Sequence, residues 1–116
     1  MTVRECYEEL GSDFDKVQNR LVSEALVKKF ALKFLDDPSF QELKTSLEAE
    51  DTETAFRATH TLKGICLNLG FDRLLVPSQE LTEKLRGAEN VNGTEELFAA
   101  VEKEYNRTCE ILHKVD

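Results

Sequence analysis

The chain predicts an all-α fold: an up-and-down antiparallel four-helix bundle with one or two additional short helices. Three observations carry that prediction. Only five glycines and two prolines punctuate 116 residues. No stretch alternates apolar and polar residues for long enough to make a strand. Apolar residues instead recur at helical spacing in successive segments, and the short connections between them make neighbouring helices antiparallel. Residues 1–116 read as a single domain, without repeat, low-complexity tract or linker.

Met1 to Leu10 forms a short leading helix, ended by Gly11-Ser12-Asp13. From about Phe14 to Leu35 one longer helix is expected, with Leu26, Phe30 and Phe34 in a row and Val22 and Val27 beside them. Asp36-Asp37-Pro38 stops it. Asp37 then caps the next helix, with Pro38 at its first position, where no amide hydrogen is missed. Phe40, Leu43 and Leu47 mark this shorter amphipathic helix. Asp51 caps a third helix running to about Leu69, and Gly70 stops it. A fourth follows from Asp72 to Arg86 with Leu74, Leu81 and Leu85 on one side. Pro77 lies inside it and predicts a kink or a late start. After the turn-rich stretch from Gly87 to Gly93, Thr94 caps a last helix through Leu97, Val101, Thr108 and Leu112.

The balance of 15 basic against 23 acidic residues gives a formal net charge of -8. Nucleic-acid phosphates and anionic membrane surfaces would repel such a chain. No apolar run approaches the ~20 residues that span a bilayer, and the first residues do not resemble a signal peptide. Cys6, Cys66 and Cys109 lack metal-ligand spacing, and their odd number points to reduced thiols in a cytoplasmic protein, serving as small apolar residues. His113 lies near the negative end of the last helix, a favourable place for a histidine. No metal site is expected from two distant histidines without a flanking carboxylate pattern. No glycine-rich phosphate loop is present, so the chain carries no recognisable ATP site.

The informative stretch is ATHTLKGICLNLG, Ala58 to Gly70. On a helical wheel of about 100° per residue, Ala55, Ala58, Leu62, Ile65, Cys66 and Leu69 share one arc, the core stripe. His60 projects from the opposite side. Phe56 and Leu67 bracket it there, together with Arg57, Lys63 and Gly64. A glycine inside a helix costs roughly 1 kcal/mol relative to alanine, and Gly64 sits one turn from His60, where it clears the approach to the ring. A neutral imidazole has an in-plane lone pair and an ordinary pKa near ~6.5, which makes it a competent nucleophile at neutral pH. Lys63 is placed to offset the charge of a phosphoryl group. Phe56, Arg57 and Leu67 are candidates for partner docking, and Arg57 and Lys63 make a local basic island that favours an acidic partner site.

Ala58, His60, Leu62, Lys63, Gly64, Leu69 and Gly70 resemble the signature of histidine-containing phosphotransfer (HPt) domains, and the similarity extends through the helical segments to the closing EYNRTCEIL. The resemblance implies a four-helix bundle whose motif histidine, His60, accepts a phosphoryl group and exchanges it with an aspartate of a response-regulator receiver domain in multistep two-component signalling. It implies that Lys63 steadies the group and that Gly64 leaves room for the receiver. A polar side chain on the facing helix holds the inner ring nitrogen in such domains, at offsets that land here on Gln79 and Thr82. Glutamine or glutamate is usual at the later offset, so Thr82 departs from the pattern and Gln79, with the longer reach, is the favoured partner. The expected partners are a receiver domain and a hybrid sensor histidine kinase, with Mg2+ on the receiver and no cofactor on this chain. The protein is then a monomeric carrier more than an enzyme. The alternative is a helical adaptor that docks a receiver or kinase without phosphotransfer, and it would tolerate loss of His60.

Overall fold

The computed structural model describes all residues, Met1–Asp116. Seven α-helices follow one another: α1 (Val3–Leu10), α2 (Phe14–Leu21), α3 (Glu24–Lys33), α4 (Ser39–Glu48), α5 (Thr52–Leu69), α6 (Asp72–Leu85) and α7 (Glu95–Leu112), with a 3-10 turn at Phe34–Asp36 and no strand. Helices α4 to α7 form the antiparallel bundle. Close backbone approach joins α4 to α5, α5 to α6 and α6 to α7. Side chains close the fourth side: Phe40 on α4 stacks on Tyr105 of α7 with ring centroids 4.0 Å apart and on Phe98 at 5.7 Å, and Lys44 pairs with Glu102 at 3.4 Å.

Local signals explain most of the boundaries. Thr2 and Glu5 form a reciprocal capping box at the start of α1, satisfying two amide hydrogens that the helix itself leaves unpaired. Asp13 caps α2 and Ser23 caps α3. The Asp37 carboxylate accepts from the Ser39 amide at 2.9 Å, and the Pro38 carbonyl accepts from the Glu42 amide. Pro38 is therefore the N-cap residue of α4, one position earlier than the first helical position expected for it, and the Asp37 carboxylate holds the Ser39 amide from just before the cap.

Two further expectations are corrected, and a third is narrowed. The segment from Phe14 to Leu35 is not one helix. It breaks at Val22, whose φ of 81° lies in the left-handed region, uncommon for a β-branched residue. The break lets α2 pack on the end of α5 while α3 takes a new direction. In consequence Val22 is 82% exposed, and Leu26 and Phe30 are 37% exposed each, while Val27 and Phe34 remain in the core. The second correction concerns Thr94, whose side chain caps nothing: its hydroxyl donates back to the Val91 carbonyl at 2.7 Å and ties down the preceding loop. Finally, α6 starts at Asp72 and runs through Pro77, so the late start does not occur. Pro77 falls early in the helix, where it removes a single internal hydrogen bond.

One contiguous core draws on residues from Val3 to Leu112. A run of aromatic contacts, Phe14–Tyr7–Phe71–Phe34–Tyr105–Phe40, threads it from the N-terminal helices into the bundle. Cys6 and Cys66 are wholly buried within it, and burial pushes their thiols up to about 11 and about 12. No helix is long and apolar enough to cross a membrane.

Candidate functional site

The site is built on α5, and both ends of that helix are pinned. At the start, the Asp51 carboxylate accepts from the Thr54 amide at 3.2 Å. Hydrogen bonding to Thr54 holds its carboxyl below the ordinary value. At the end, the last four carbonyls, which a helix cannot satisfy internally, all find donors. The amides of Gly70 and Phe71 serve Cys66. The Arg20 guanidinium of α2 reaches both Leu67 and Asn68. The buried Tyr7 hydroxyl of α1 donates to Leu69 at 2.7 Å. Gly70 has φ 71°, and a Cβ there would meet Val17 Cγ2 at 2.5 Å, so α2 approaches as closely as the absence of a side chain permits.

The register between α5 and α6 is set by a buried hydroxyl cluster. Thr82 donates to the Ser78 carbonyl at 2.7 Å and lies 3.2 Å from the Thr59 hydroxyl, which itself stands 3.3 Å from that carbonyl. All three residues are fully buried. Thr59 is next to His60 in sequence, so this cluster fixes which part of α6 faces the histidine.

His60 is exposed midway along α5, opposite buried Ala58 and Leu62. The half-buried Phe56 ring lies one turn earlier, its centroid 5.9 Å from that of the imidazole. Lys63 is half-buried and Arg57 is exposed. A Cβ built on Gly64 meets nothing within 4 Å, so no neighbour inside the molecule requires the glycine. Leu67 is 50% exposed on the same side. The core stripe of α5 differs from expectation only at its edges, where Thr59 is buried and Ile65 half-buried. Ile65 and Asn68 border a groove with Phe30 and Phe34.

Neither side chain expected to orient His60 does so here. Thr82 is committed to Ser78 and Thr59 beneath the surface. Gln79 is exposed and makes no hydrogen bond to the ring. Two residues that sequence reasoning missed lie on the same seam. Arg86 Nε and Nη2 donate to Glu83 Oε2 and Oε1 at 3.2 and 3.1 Å, a bidentate pair. The same guanidinium lies over the Phe56 ring, 5.1 Å from its centroid. Arg86 holds the Glu83 carboxyl below the ordinary carboxylate range, and the neighbouring Lys63 and His60 add to the effect.

Two side-chain rows therefore run antiparallel along the α5–α6 seam: Phe56, His60 and Lys63 on one helix, Gln79, Glu83 and Arg86 on the other, each at i, i+4, i+7 spacing. The Phe56–Arg86 and Thr59–Thr82 contacts set the rows so that Glu83 stands level with His60. The only signal in the sequence was an acid–base pair three residues apart, which ordinarily marks a solvated helix face.

Chemically, the face offers an accessible imidazole lone pair, two cations on α5 and one on α6, and open space above Gly64. It suits a small anionic group. Residues 37–111 match the family model described as Hpt domain. That segment holds α4, α5, α6 and nearly all of α7. No curated protein and no solved structure matches the chain.

Proposed function

The chain belongs to the Hpt domain family, whose members carry phosphoryl groups on histidine in phosphorelay signalling, and from that premise we propose that His60 is the phosphoacceptor. The observation that supports this most is the exposed imidazole at the middle of α5, flanked by Lys63 and the unobstructed position 64, inside the matched segment.

In the proposed reaction the Nε2 lone pair of His60 attacks the phosphorus of an aspartyl phosphate on a receiver domain. The N–P bond forms as the P–O bond to the receiver's carboxyl group breaks, and the carboxylate leaves with the electron pair. The reverse sequence hands the group to a second receiver, so the net reaction is transfer without loss. Lys63 supplies positive charge beside the phosphoryl oxygens. Charge neutralisation at the leaving carboxylate falls to the receiver, with the Mg2+ we assign to that partner. This chain contributes a nucleophile and a place to hold the group, consistent with a carrier. The exposed side chains of Arg57 and Leu67, and the rim of Phe56, form the docking face in this reading.

The test is transfer from a pre-phosphorylated receiver domain to the wild type and to His60→Gln. Acid-labile, alkali-stable label on the wild type and none on the variant is the expected result. Equal binding of both proteins to receivers, with label on neither, would favour the adaptor and refute the carrier.

A further inference from the structure

We propose that Glu83 and Arg86 form a charge-exchange pair for the phosphorylated state of His60, in which Arg86 leaves Glu83 for the phosphoryl oxygens and Glu83 takes the proton-bearing inner nitrogen of the ring. The proposal rests on His60 being the phosphoacceptor.

The geometry supplies each part of the exchange. In the resting structure both carboxylate oxygens of Glu83 are occupied by Arg86, and no α6 side chain bonds to the imidazole. The pair is about half exposed, at 51% for Arg86 and 56% for Glu83. An ion pair in such a setting contributes little stability, so opening it is cheap. The Phe56 ring touches both ends of the path: the guanidinium lies over it, and the imidazole lies beside it. A guanidinium moves across an aromatic face without losing its cation–π attraction, and its planar fork matches phosphate oxygens as well as carboxylate.

Charge balance favours the exchange once the group arrives. When Nε2 bonds to phosphorus the ring keeps its Nδ1 proton and becomes cationic, while the phosphoryl group brings negative oxygens. No proton has to move. Glu83 then faces a new cation level with it, and Arg86 faces a new anion alongside Lys63. Both find better partners than each other. The charged groups along this seam are Glu53, Arg57 and Lys63 on α5 and Glu80, Glu83 and Arg86 on α6. Of the three carboxylates, Glu83 is the one paired with Arg86 and the one held down by the charge of Lys63 and His60.

The experiment loads His60 with phosphoramidate and follows the Arg86 side-chain Nε–H by 1H–15N NMR. That signal is expected to shift on loading in the wild type. A fully phosphorylated protein with an unmoved Arg86 signal would overturn the exchange. If no donor labels His60, the phosphoacceptor reading fails instead, so the two failures are distinct. Equilibrium transfer with a receiver domain gives a second measurement. Arg86→Ala and Glu83→Ala should each shift the equilibrium about tenfold towards the receiver, the loss of one charge-assisted bond. The double variant should lose less than the product of the two, because the partners act together. If the pair belonged only to the resting state, its removal would leave loading unchanged or raised, and that sign would refute the proposal. Circular dichroism of each variant confirms the fold.

Discussion

Replacing Gly64 by alanine should make the protein more stable and less functional at once. The methyl group meets no atom within 4 Å, and position 64 lies inside α5. The stability term is then the intrinsic helix preference, a gain of roughly 1 kcal/mol. For a domain of this size that raises the melting temperature by roughly 4 °C. The functional term has the opposite sign. The methyl stands one turn from His60 on the exposed face, where a receiver must bring its phosphoaspartate to within bonding distance. A misplacement of about 1 Å can cost up to about a hundredfold in rate, so transfer from a receiver should fall at least about tenfold. Labelling by phosphoramidate, which is small enough to pass, should stay within about twofold of the wild type on the same steric argument. Urea melts, single-turnover transfer and phosphoramidate labelling together test this. Equal losses with both donors would show that position 64 acts on the ring itself, and wild-type transfer from a receiver would refute the steric reasoning altogether.

Other substitutions probe the frame around the site. Gly70→Ala should cost roughly 2–4 kcal/mol, combining a left-handed backbone with the 2.5 Å approach to Val17. Gly11→Ala, at φ 74° with nothing within 4 Å, should cost only about 1 kcal/mol; equal costs in urea melts would disprove the close approach of α2. Tyr7→Phe leaves the buried end of α5 with an unpaired Leu69 carbonyl and should lose about 1–3 kcal/mol, measured by the same melts, and a neutral result would mean that the carbonyl finds water. Val22→Gly relieves a positive φ at an exposed position, partly offset by the freedom that glycine gains in the unfolded chain. A net stabilisation of roughly 0.5–1 kcal/mol is expected, and a loss of stability would argue against strain at this junction.

The sequence made the bundle legible because its signals are local. Asp37, Asp51 and Gly70 act at helix ends within a few residues, and the placement of His60, Lys63 and Gly64 on one face follows from helical spacing alone. The break at Val22 was illegible for a related reason. Periodicity continues on both sides of it, and nothing within Phe14 to Leu35 records that Arg20 and Val17 must reach the end of α5. That requirement comes from distant residues. Thr94 looked like a cap because its residue type suits one, whereas a carbonyl three residues back competed for its hydroxyl. Glu83 and Arg86 were hidden because their relation to His60 depends on the register of α6 against α5. Thr59, Ser78 and Thr82 set that register through buried hydroxyls, none of which stands out in the sequence as a contact.

The closure of α5 by α1 and α2 bears on where this protein could be cut. The recognisable family segment begins at residue 37, yet the donors to Leu67, Asn68 and Leu69 come from Arg20 and Tyr7, which lie before it. Trimmed to that segment, the histidine-bearing helix would lose the partners of its last turn, and Phe71 would lose Tyr7 as a neighbour. The stretch that identifies the family is therefore smaller than the stretch that supplies every hydrogen bond to α5, and an excised minimal domain would fray from the end two turns beyond His60.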